Sequence, residues 1–314
     1  MGKFLRDVLL FGLLGAAIYV AFLFAAALRG AGDGPWNIKY RPGEFGGLWE
    51  RVRDSTMHPP HDLLMIGSSL AYRGGDPRVF AKHGYRLYNL GSSAQTPLQT
   101  EVLLKRHWQH ARADVVLFIV TEDVFCQKGY ESSLDLIAND RIDQLSLCMV
   151  ARTPNIALLN TTVYAVLRHA AGTVRPSDHN WPEGKHDVYV PGGYVERKGT
   201  TFNPRQWTPL QDSTPLVMQK EAFERCLEFV RKQGAQPVII SPPVTDGYWL
   251  APGKSWGLAY WQSLAPYYDY SRLHQGPDSL YFQDGRHQNQ HGVVRFDRAL
   301  VQDLVKDGWL APKD

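Results

Sequence analysis

The amino-acid sequence predicts an α/β domain, with a central parallel sheet and helices on both faces, behind one N-terminal membrane-spanning helix. An uninterrupted apolar run at residues 8–28 indicates the membrane helix. From residue 62 onward, short apolar runs that end in Gly, Ser or Thr alternate with helical patterns. This alternation is typical of a parallel sheet, since its crossover helices cover both faces.

The apolar run at residues 8–28 contains no charged residue. At ~1.5 Å rise per residue, a helix of this length spans a hydrocarbon core of ~30 Å. Lys3 and Arg6 precede the run and Arg29 follows it, which favours a cytoplasmic N-terminus and a body outside the cytoplasm. The alternative is a signal peptide cleaved at residues 25–27, although signal-peptide cores usually have only ~7–15 apolar residues. We favour a single-pass anchor in the inner or plasma membrane, in contact with the lipid bilayer, and a periplasmic or other extracytoplasmic body.

Composition limits the classes of protein to consider. The 314 residues carry a formal net charge of +3, with 21% charged and 44% hydrophobic residues, as in a folded domain with accessory segments. This mild charge, without a Lys- or Arg-rich block, argues against a nucleic-acid partner. No Cys/His pattern has the spacing of a metal site, and we expect neither a metal nor an organic cofactor. Cys126 and Cys148 could pair in an oxidising compartment, whereas Cys226 suits a small buried residue.

The sequence divides into an anchor at residues 1–30, a linker rich in Gly and Pro at residues 31–60 and the main domain at residues 61–314. The main domain contains an irregular insertion at about residues 126–215, and its later part, residues 172–215, is dense in Gly, Pro, Asn and Asp. Outside the insertion, the regular alternation of strands and helices predicts one domain.

Strands and helices of the main domain are predicted from apolar periodicity and from cap residues. The predicted strands are residues 62–66, 85–90, 114–120, 237–241 and an edge strand at 267–270. The predicted helices are residues 76–83, 96–111, 219–233, 255–264 and 293–305. Asp76 and Thr96 each precede a proline, which suits a helix start, and Gly234 suits a helix end.

Polar residues follow three of the predicted strands, where an open α/β sheet forms its sites. They are Gly-Ser-Ser at residues 67–69, Gly-Ser-Ser at residues 91–93 and Thr-Glu-Asp at residues 121–123. A fourth polar cluster, at residues 284–292, has the pattern Asp-x-x-His-x-Asn-x-x-Gly just before the last helix. Its Asp and His can share one turn at the edge of the sheet.

These residue types suit nucleophilic catalysis by a serine. A serine hydroxyl is a poor nucleophile near neutral pH, so it needs a neighbouring base. His287 can take the proton of Ser69, while Asp284 orients the imidazole and stabilises its cation. Taken singly, Ser69 also fits an ordinary turn and His287 an ordinary loop, but together with Asp284 they indicate a catalytic triad.

A strand that ends in Gly-x-Ser early in the chain, followed late by Asp-x-x-His, resembles the SGNH/GDSL hydrolase superfamily. Residues 67–69 stand where that family has Gly-Asp-Ser, and residues 89–91 (Asn-Leu-Gly) resemble its second block. The resemblance implies a flavodoxin-like three-layer sandwich with the triad named above. It also implies an oxyanion hole formed by the backbone amides of Ser69 and Gly91, although Gly91 equally fits a tight turn.

The resemblance covers residues 62–125 and 219–308 and departs from the family at two points. The third block of the family is usually Gly-x-Asn-Asp, whose Asn donates to the oxyanion, whereas residues 121–123 supply carboxylates that cannot donate while ionised. Ser68 replaces the usual Asp. With these two departures, the chain resembles a divergent membrane-anchored branch of the superfamily. That branch includes the D-alanyl transfer protein of teichoic acid and the alginate O-acetylation proteins.

The resemblance to this branch implies serine-dependent acyl transfer, as an O-acyltransferase or an esterase, on an exported cell-envelope polysaccharide or glycopolymer. It also implies an acyl donor and a membrane-bound O-acyltransferase as a partner. Two alternatives stay open: a non-catalytic, polymer-binding scaffold with a degenerate SGNH domain, and a simple lipid or small-ester hydrolase. The missing oxyanion Asn favours the scaffold, and the intact Asp-x-x-His favours the enzyme.

Eight aromatic residues lie between residues 248 and 270. Because exposed aromatic faces stack on sugars, Trp249 and Trp256 are the best candidates for binding a glycan acceptor. The same side chains would equally suit a core or an interface with a membrane partner.

Overall fold

The computed structural model describes residues 1–28, 37–44, 46–172, 174, 187–199, 201–204, 214–251 and 256–313. Arg29, the first part of the predicted linker, two stretches of the predicted insertion (175–186 and 205–213) and Ser255 lie outside the described residues. Every predicted site residue lies within them.

Two sheets are formed by the described residues. Their strands are β1 (His61–Gly67), β2 (Leu87–Asn89), β3 (Ala113–Ile119), β4 (Asp187–Val190), β5 (Tyr194–Arg197), β6 (Gln236–Ser241) and β7 (Tyr267–Asp269). The main sheet has five parallel strands in the order β2-β1-β3-β6-β7, whereas β4 and β5 pair as an antiparallel hairpin. With the hairpin set aside, this is the flavodoxin-like strand order. The predicted parallel sheet, with residues 267–270 at its edge, is confirmed.

The described helices include all five that the sequence predicts, each within three residues of its predicted ends. They are α1 (Gly2–Leu28), α2 (Leu48–Arg51), α3 (Ser69–Tyr72), α4 (Pro77–Lys82), α5 (Pro97–Ala111), α6 (Glu122–Phe125), α7 (Tyr130–Asn139), α8 (Gln144–Arg152), α9 (Ile156–Ala170), α10 (Val217–Lys232), α11 (Asp246–Trp249), α12 (Gly257–Leu264) and α13 (Gln290–Lys306). A 3-10 turn covers Asp278–Leu280.

Side chains of the central strands alternate between the two faces of the main sheet. On β1, Leu64 and Ile66 belong to the core shared with α5 and α10, whereas Leu63 and Met65 belong to the core shared with α13. All four side chains are fully buried. A strand that is covered on both faces needs apolar residues at consecutive positions, which explains the uninterrupted apolar runs in the sequence. The predicted three-layer α/β architecture is therefore confirmed.

Cap residues fix where the helices beside the site begin. Asp76 accepts a hydrogen bond from the backbone N–H of Arg78 at 3.0 Å, and Pro77 occupies the first turn of α4, where no N–H is needed. Thr96 and Gln99 form a capping box at the start of α5. Both helices therefore start at the positions that their sequences predict.

The described part of the predicted linker packs against the main domain. Ile38 and Leu48 are buried in the same core as α5 and α10. Arg51, on α2, is also fully buried, and it donates to the carbonyls of Gly91 and Gly193 at 2.8 Å each. This segment supports the carboxyl edge of the sheet. The division into anchor, linker and main domain stays a prediction.

The described part of the predicted insertion contains α7, α8, α9 and the β4–β5 hairpin. The three helices pack on one another, and α7 and α8 also pack on α5. The hairpin lies beside β2, where the carbonyl of Gly192 accepts the N–H of Asn89 at 2.9 Å. Gly192 and Gly193 form its turn with positive φ values of 98° and 88°, a conformation that favours glycine. Two of the glycines in the segment that was predicted to be a loop thus form the turn of a hairpin.

The cysteines of the described residues form no disulfide. Cys126 follows α6, and its Sγ donates to the carbonyl of Glu122 at 3.3 Å. Cys148 is exposed on α8, and Cys226 is buried on α10, as predicted.

Helix α1 is the one described helix that is long and apolar enough to cross a membrane, over Gly2–Ala25. Its length and composition suit either a single membrane span or a signal sequence near the N-terminus.

Candidate active site

Ser69 stands at the carboxyl end of β1, as the first residue of α3. Gly67, with a φ of 154°, packs so closely on β3 that a Cβ there would lie 2.6 Å from the carbonyl oxygen of Ile119. The Oγ of Ser68 accepts the N–H of Leu70 at 3.4 Å and caps the helix. The Gly-Ser-Ser turn therefore lets the chain leave the sheet abruptly and present the partly exposed Ser69 at its edge.

The structure brings Ser69, His287 and Asp284 together in one hydrogen-bonded series. His287 Nε2 lies 2.8 Å from Ser69 Oγ, and His287 Nδ1 lies 2.9 Å from Asp284 Oδ2. A carboxylate can only accept, so Nδ1 carries the proton and Nε2 is left to accept from the serine hydroxyl. This is the arrangement that activates a serine nucleophile.

Hydrogen bonds within residues 283–292 explain the spacing of the Asp-x-x-His-x-Asn-x-x-Gly pattern. Asp284 Oδ1 accepts the backbone N–H groups of Arg286 and His287 at 2.8 Å each, which forms the turn that carries the imidazole. Asn289 Oδ1 accepts the N–H of Gly292 at 3.1 Å and caps α13. The imidazole is therefore held by a turn on one side and by a helix start on the other.

Local charges set the protonation of this pair. Burial alone would raise the pKa of Asp284, but its hydrogen bonds and the charge of His287 outweigh burial and hold that pKa at about 2. Burial lowers the pKa of His287, and the positive charges of Arg73 and Arg286 lower it further, against the opposing effect of Asp284. Asp284 is therefore ionised and His287 neutral near pH 7, as a general base requires.

An ion pair that the sequence analysis missed lies beside the imidazole. Arg73 follows Ser69 by four residues, which places both on one side of the same helical turn. Its guanidinium donates to Asp187, at the start of β4, with distances of 2.8 and 3.2 Å. The four-residue spacing from Ser69 could have indicated that Arg73 lies beside the site. Nothing in the sequence indicated Asp187, because it lies in the predicted irregular insertion.

The turn after β3 carries a second ion pair, where the resemblance to the SGNH/GDSL superfamily leads one to expect an amide donor. The carboxylate of Asp123 is buried and accepts from Arg286 Nη1 at 2.8 Å and from Tyr248 Oη at 3.0 Å. Burial would raise the pKa of Asp123, but Arg286 and the hydrogen bonds lower it. The group is thus an ionised acceptor that fixes Arg286, the residue next to His287.

Gly91 lies close to the serine turn, but its N–H already has a partner. It donates to the Oδ1 of Asn89 at 3.1 Å. A Cβ on Gly91 would lie 2.9 Å from the carbonyl oxygen of Gly67, so the contact between the ends of β1 and β2 requires glycine. The structure brings Gly91 to the nucleophile, and its N–H can reach an oxyanion only if it is shared with, or released by, Asn89.

The two predicted glycan-binding residues have different environments. Trp249 is 45% exposed and lines a cavity of about 270 Å³ at the carboxyl ends of β6 and β7, together with Tyr248, Trp261 and Glu122. Trp256 is half-buried and packs edge-on against Phe125, with ring centroids 5.6 Å apart. Trp249 is thus available to a ligand, whereas Trp256 contributes to the core.

Within the part of the chain that the structure describes, no group of three His, Cys, Asp or Glu side chains could hold a metal ion.

No protein-family model matches the chain, and no curated protein sequence matches it. Among solved structures, it is similar to a proposed acylhydrolase from Bacteroides fragilis, with 12% identity over 88% of this chain and 100% of that one and a TM-score of 0.39. It is also similar to a mutant of an acetyl-xylooligosaccharide esterase from Geobacillus stearothermophilus, with 11% identity over 82% of this chain and 99% of that one and a TM-score of 0.42. At these low values, neither structure assigns an activity to this chain.

Proposed function

We propose that the chain is a serine-dependent acyltransferase or esterase in which Ser69 is the nucleophile, His287 the general base and Asp284 the group that orients His287. The observation that carries this proposal is the hydrogen-bonded series of 2.8 and 2.9 Å at the carboxyl edge of the sheet. Residues 218 positions apart in the chain meet there, and a partly exposed serine is paired with a neutral imidazole.

The proposed reaction has two halves. In the first, Ser69 Oγ attacks the carbonyl carbon of an acyl donor while His287 Nε2 takes the hydroxyl proton; His287 then returns that proton to the leaving group, and the acyl group stays on Ser69 as an ester. In the second, His287 removes a proton from an acceptor hydroxyl, which attacks the ester carbonyl. Return of the proton to Ser69 Oγ releases the acylated acceptor. A sugar hydroxyl as acceptor gives transfer, and water gives hydrolysis.

The oxyanion formed in each half would be bound by the backbone amides of Ser69 and Gly91. In this proposal Gly91 shares its N–H between Asn89 Oδ1 and the oxyanion. Arg286, which directly precedes His287, and Arg73, on the turn that begins at Ser69, add positive charge beside the site, and both lower the pKa of His287. These cations favour the negatively charged transition state more than the neutral ground state.

The proposed acceptor is a carbohydrate of the cell envelope, outside the cytoplasm. Supporting this, Trp249 lies at the rim of a cavity that combines aromatic walls with the carboxylates of Glu122 and Asp269, and sugar sites commonly pair aromatic faces with hydrogen-bonding groups. A membrane-bound O-acyltransferase that supplies the acyl group belongs to the same proposal. Trp249→Ala should weaken transfer to oligosaccharides while leaving hydrolysis of p-nitrophenyl acetate unchanged, whereas Trp249→Phe should retain transfer.

A fluorophosphonate probe tests the nucleophile, because it reacts covalently with an activated serine. We expect labelling of the parent protein and of Ser263→Ala, a control at an exposed serine of α12, and none of Ser69→Ala. Labelling that persists in Ser69→Ala would reject Ser69 as the nucleophile.

A non-catalytic scaffold is the second candidate, and one observation favours it. The Gly91 N–H is engaged with Asn89, and the turn after β3 offers an ionised carboxylate instead of a donor, so the oxyanion side of the site is weakly equipped. Absence of probe labelling, together with normal polymer acylation in cells that carry Ser69→Ala, would favour the scaffold over the enzyme.

A further inference from the structure

Helices α8 and α9 carry exposed apolar side chains on the surface of the main domain. Leu147 on α8 and Ile156, Leu159 and Val166 on α9 are between 43% and 67% exposed. Leu147, Leu159 and Val166 line one shared groove of about 330 Å³. Residues 156–167 of α9 contain no charged side chain, although the outer face of a helix in water is normally charged or polar. A contiguous apolar face of this kind marks a contact surface.

The apolar face of α8 and α9 lies next to α1. Helix α9 packs along α1, Tyr19 donates a hydrogen bond to Asn160 Oδ1, and Leu23 of α1 is only 1% exposed. Farther along the chain, the N–H of Lys39 donates to Thr161 Oγ1 at 2.8 Å. Both α1 and the described part of the predicted linker therefore contact α9, and α1 and α9 both carry exposed apolar side chains.

The depth of the contact on α1 determines where α9 must lie. Tyr19 and Leu23 fall within the apolar stretch Gly2–Ala25 that is long enough to span a bilayer, and they lie in its last third. A helix that packs against those residues reaches the edge of the hydrocarbon layer on the side where the main domain lies. Its remaining apolar side chains then meet lipid instead of water.

We propose that the face formed by Leu147, Ile156, Leu159 and Val166 is embedded in the leaflet of the bilayer that α1 spans on the side of the main domain. The lipid bilayer is its partner, and α1 is a retained anchor that docks on α9. The main domain is then held against the membrane in one orientation, so that an acyl donor or acceptor at the membrane would meet the carboxyl edge of the sheet at a fixed height. This inference does not depend on the proposed catalytic function.

Cys148, exposed beside Leu147 on α8, allows a direct test in the full-length chain. In Cys126→Ser, Cys148 is the accessible thiol, since Cys226 is fully buried. An environment-sensitive dye on Cys148 would be measured in nanodiscs of phosphatidylethanolamine and phosphatidylglycerol, with and without nitroxide-labelled lipids. The matched control carries Cys148→Ser and Leu280→Cys, because Leu280 is a similarly exposed apolar residue, on the 3-10 turn.

The embedded face predicts blue-shifted emission and several-fold stronger quenching by nitroxide lipids for the dye at Cys148 than for the dye at residue 280. The variant Leu159→Glu/Val166→Glu should lose this quenching while α1 keeps the chain in the nanodisc. Equal quenching at both labels would overturn the proposal, as would recovery of the protein from cells as a soluble chain without α1. A dye at Cys148 that stays in water in nanodiscs, while the thiol is protected in native membranes, would overturn it in favour of a protein partner.

Discussion

The two halves of the candidate active site differ in how completely they are assembled. On the side of proton transfer, Ser69, His287 and Asp284 form a continuous hydrogen-bonded series. On the side of the oxyanion, the Gly91 N–H donates to Asn89 and Asp123 binds Arg286. The first half is ready to activate a serine, whereas the second must rely on shared backbone donors and on nearby cations.

The two halves serve separate demands on the same site, one chemical and one structural. The side chains of Ser69, His287 and Asp284 bond to one another, and Asp284 also bonds to backbone N–H groups of its own turn. Asn89 and Asp123, in contrast, also hold the fold together: Asn89 Nδ2 donates to the carbonyl of Ala71 at 2.7 Å, and Asp123 forms an ion pair with Arg286. A site of this kind is expected to acylate Ser69 more slowly than one with a dedicated amide donor.

The largest expected effect comes from removing the nucleophile. Ser69→Ala should lower the rate of p-nitrophenyl acetate hydrolysis by about 10⁶-fold, as loss of the serine does in other triads. Its melting temperature should stay close to that of the parent, since the one hydrogen bond that is lost, to His287 Nε2, joins two partly exposed side chains. Activity that survives in this variant would show that the proton-transfer half does not drive the reaction.

Asp284→Asn should have the next largest effect. An amide in place of the carboxylate allows the wrong tautomer of His287, which lowers kcat by about 10⁴-fold in a comparable triad. The steady-state kcat for hydrolysis of p-nitrophenyl acetate measures this loss. A loss of less than about 10-fold would mean that Asp284 only forms the turn, through its bonds to the backbone N–H groups of Arg286 and His287.

Asp123→Asn tests whether the turn after β3 is structural. Removing the carboxylate leaves the guanidinium of Arg286 without its counter-charge, so the free energy of unfolding should fall by about 3–5 kcal/mol. The double variant Asp123→Asn/Arg286→Gln should recover most of that loss in chemical denaturation. If Asp123→Asn were as stable as the parent, Asp123 would not be the anchor of Arg286.

The smallest expected effect is a shift of the pH profile. Acylation requires neutral His287, whose pKa is lowered by burial, so the rate should rise with pH with a midpoint below the ordinary pKa of histidine. Arg73→Gln removes a cation and should move the midpoint to higher pH, by at most about one unit because Asp187 already offsets part of that charge.

Asp187→Asn is the matched control, because it leaves the charge of Arg73 without its partner and should move the midpoint to lower pH. Shifts in the same direction for both variants would show that this ion pair acts on the fold of the turn and not on the charge of the imidazole.

The sequence predicts the parts of this site that are encoded locally. Asp284, His287 and Asn289 lie within six residues, so their caps and turn leave a readable pattern. Ser69 follows an apolar run that can only be a buried strand in this context. The parallel sheet follows from the same alternation of runs, because strands covered on both faces are apolar throughout.

Contacts between distant segments of the chain could not be predicted from the sequence. Asp187 comes from a segment with no periodicity, and its pairing with Arg73 exists only because the β4–β5 hairpin lies beside β2. From the sequence alone, the side chain of Asn89 could lie beside the oxyanion or form hydrogen bonds that hold the fold together. Only the fold distinguishes these two roles. The sequence could not separate the half-buried Trp256 from the exposed Trp249, because aromatic side chains suit a core and a sugar site equally well.

Mass spectrometry of the acyl-enzyme would detect directly whether Ser69 becomes acylated. The full-length protein would be mixed with p-nitrophenyl acetate, quenched in acid within the first turnovers and digested. We expect an acetyl group on the peptide that contains Ser69, accumulating in the parent and absent from His287→Ala. An acetyl group that is missing from that peptide in folded protein, or that is found on another residue and persists in Ser69→Ala, would show that Ser69 is not the nucleophile.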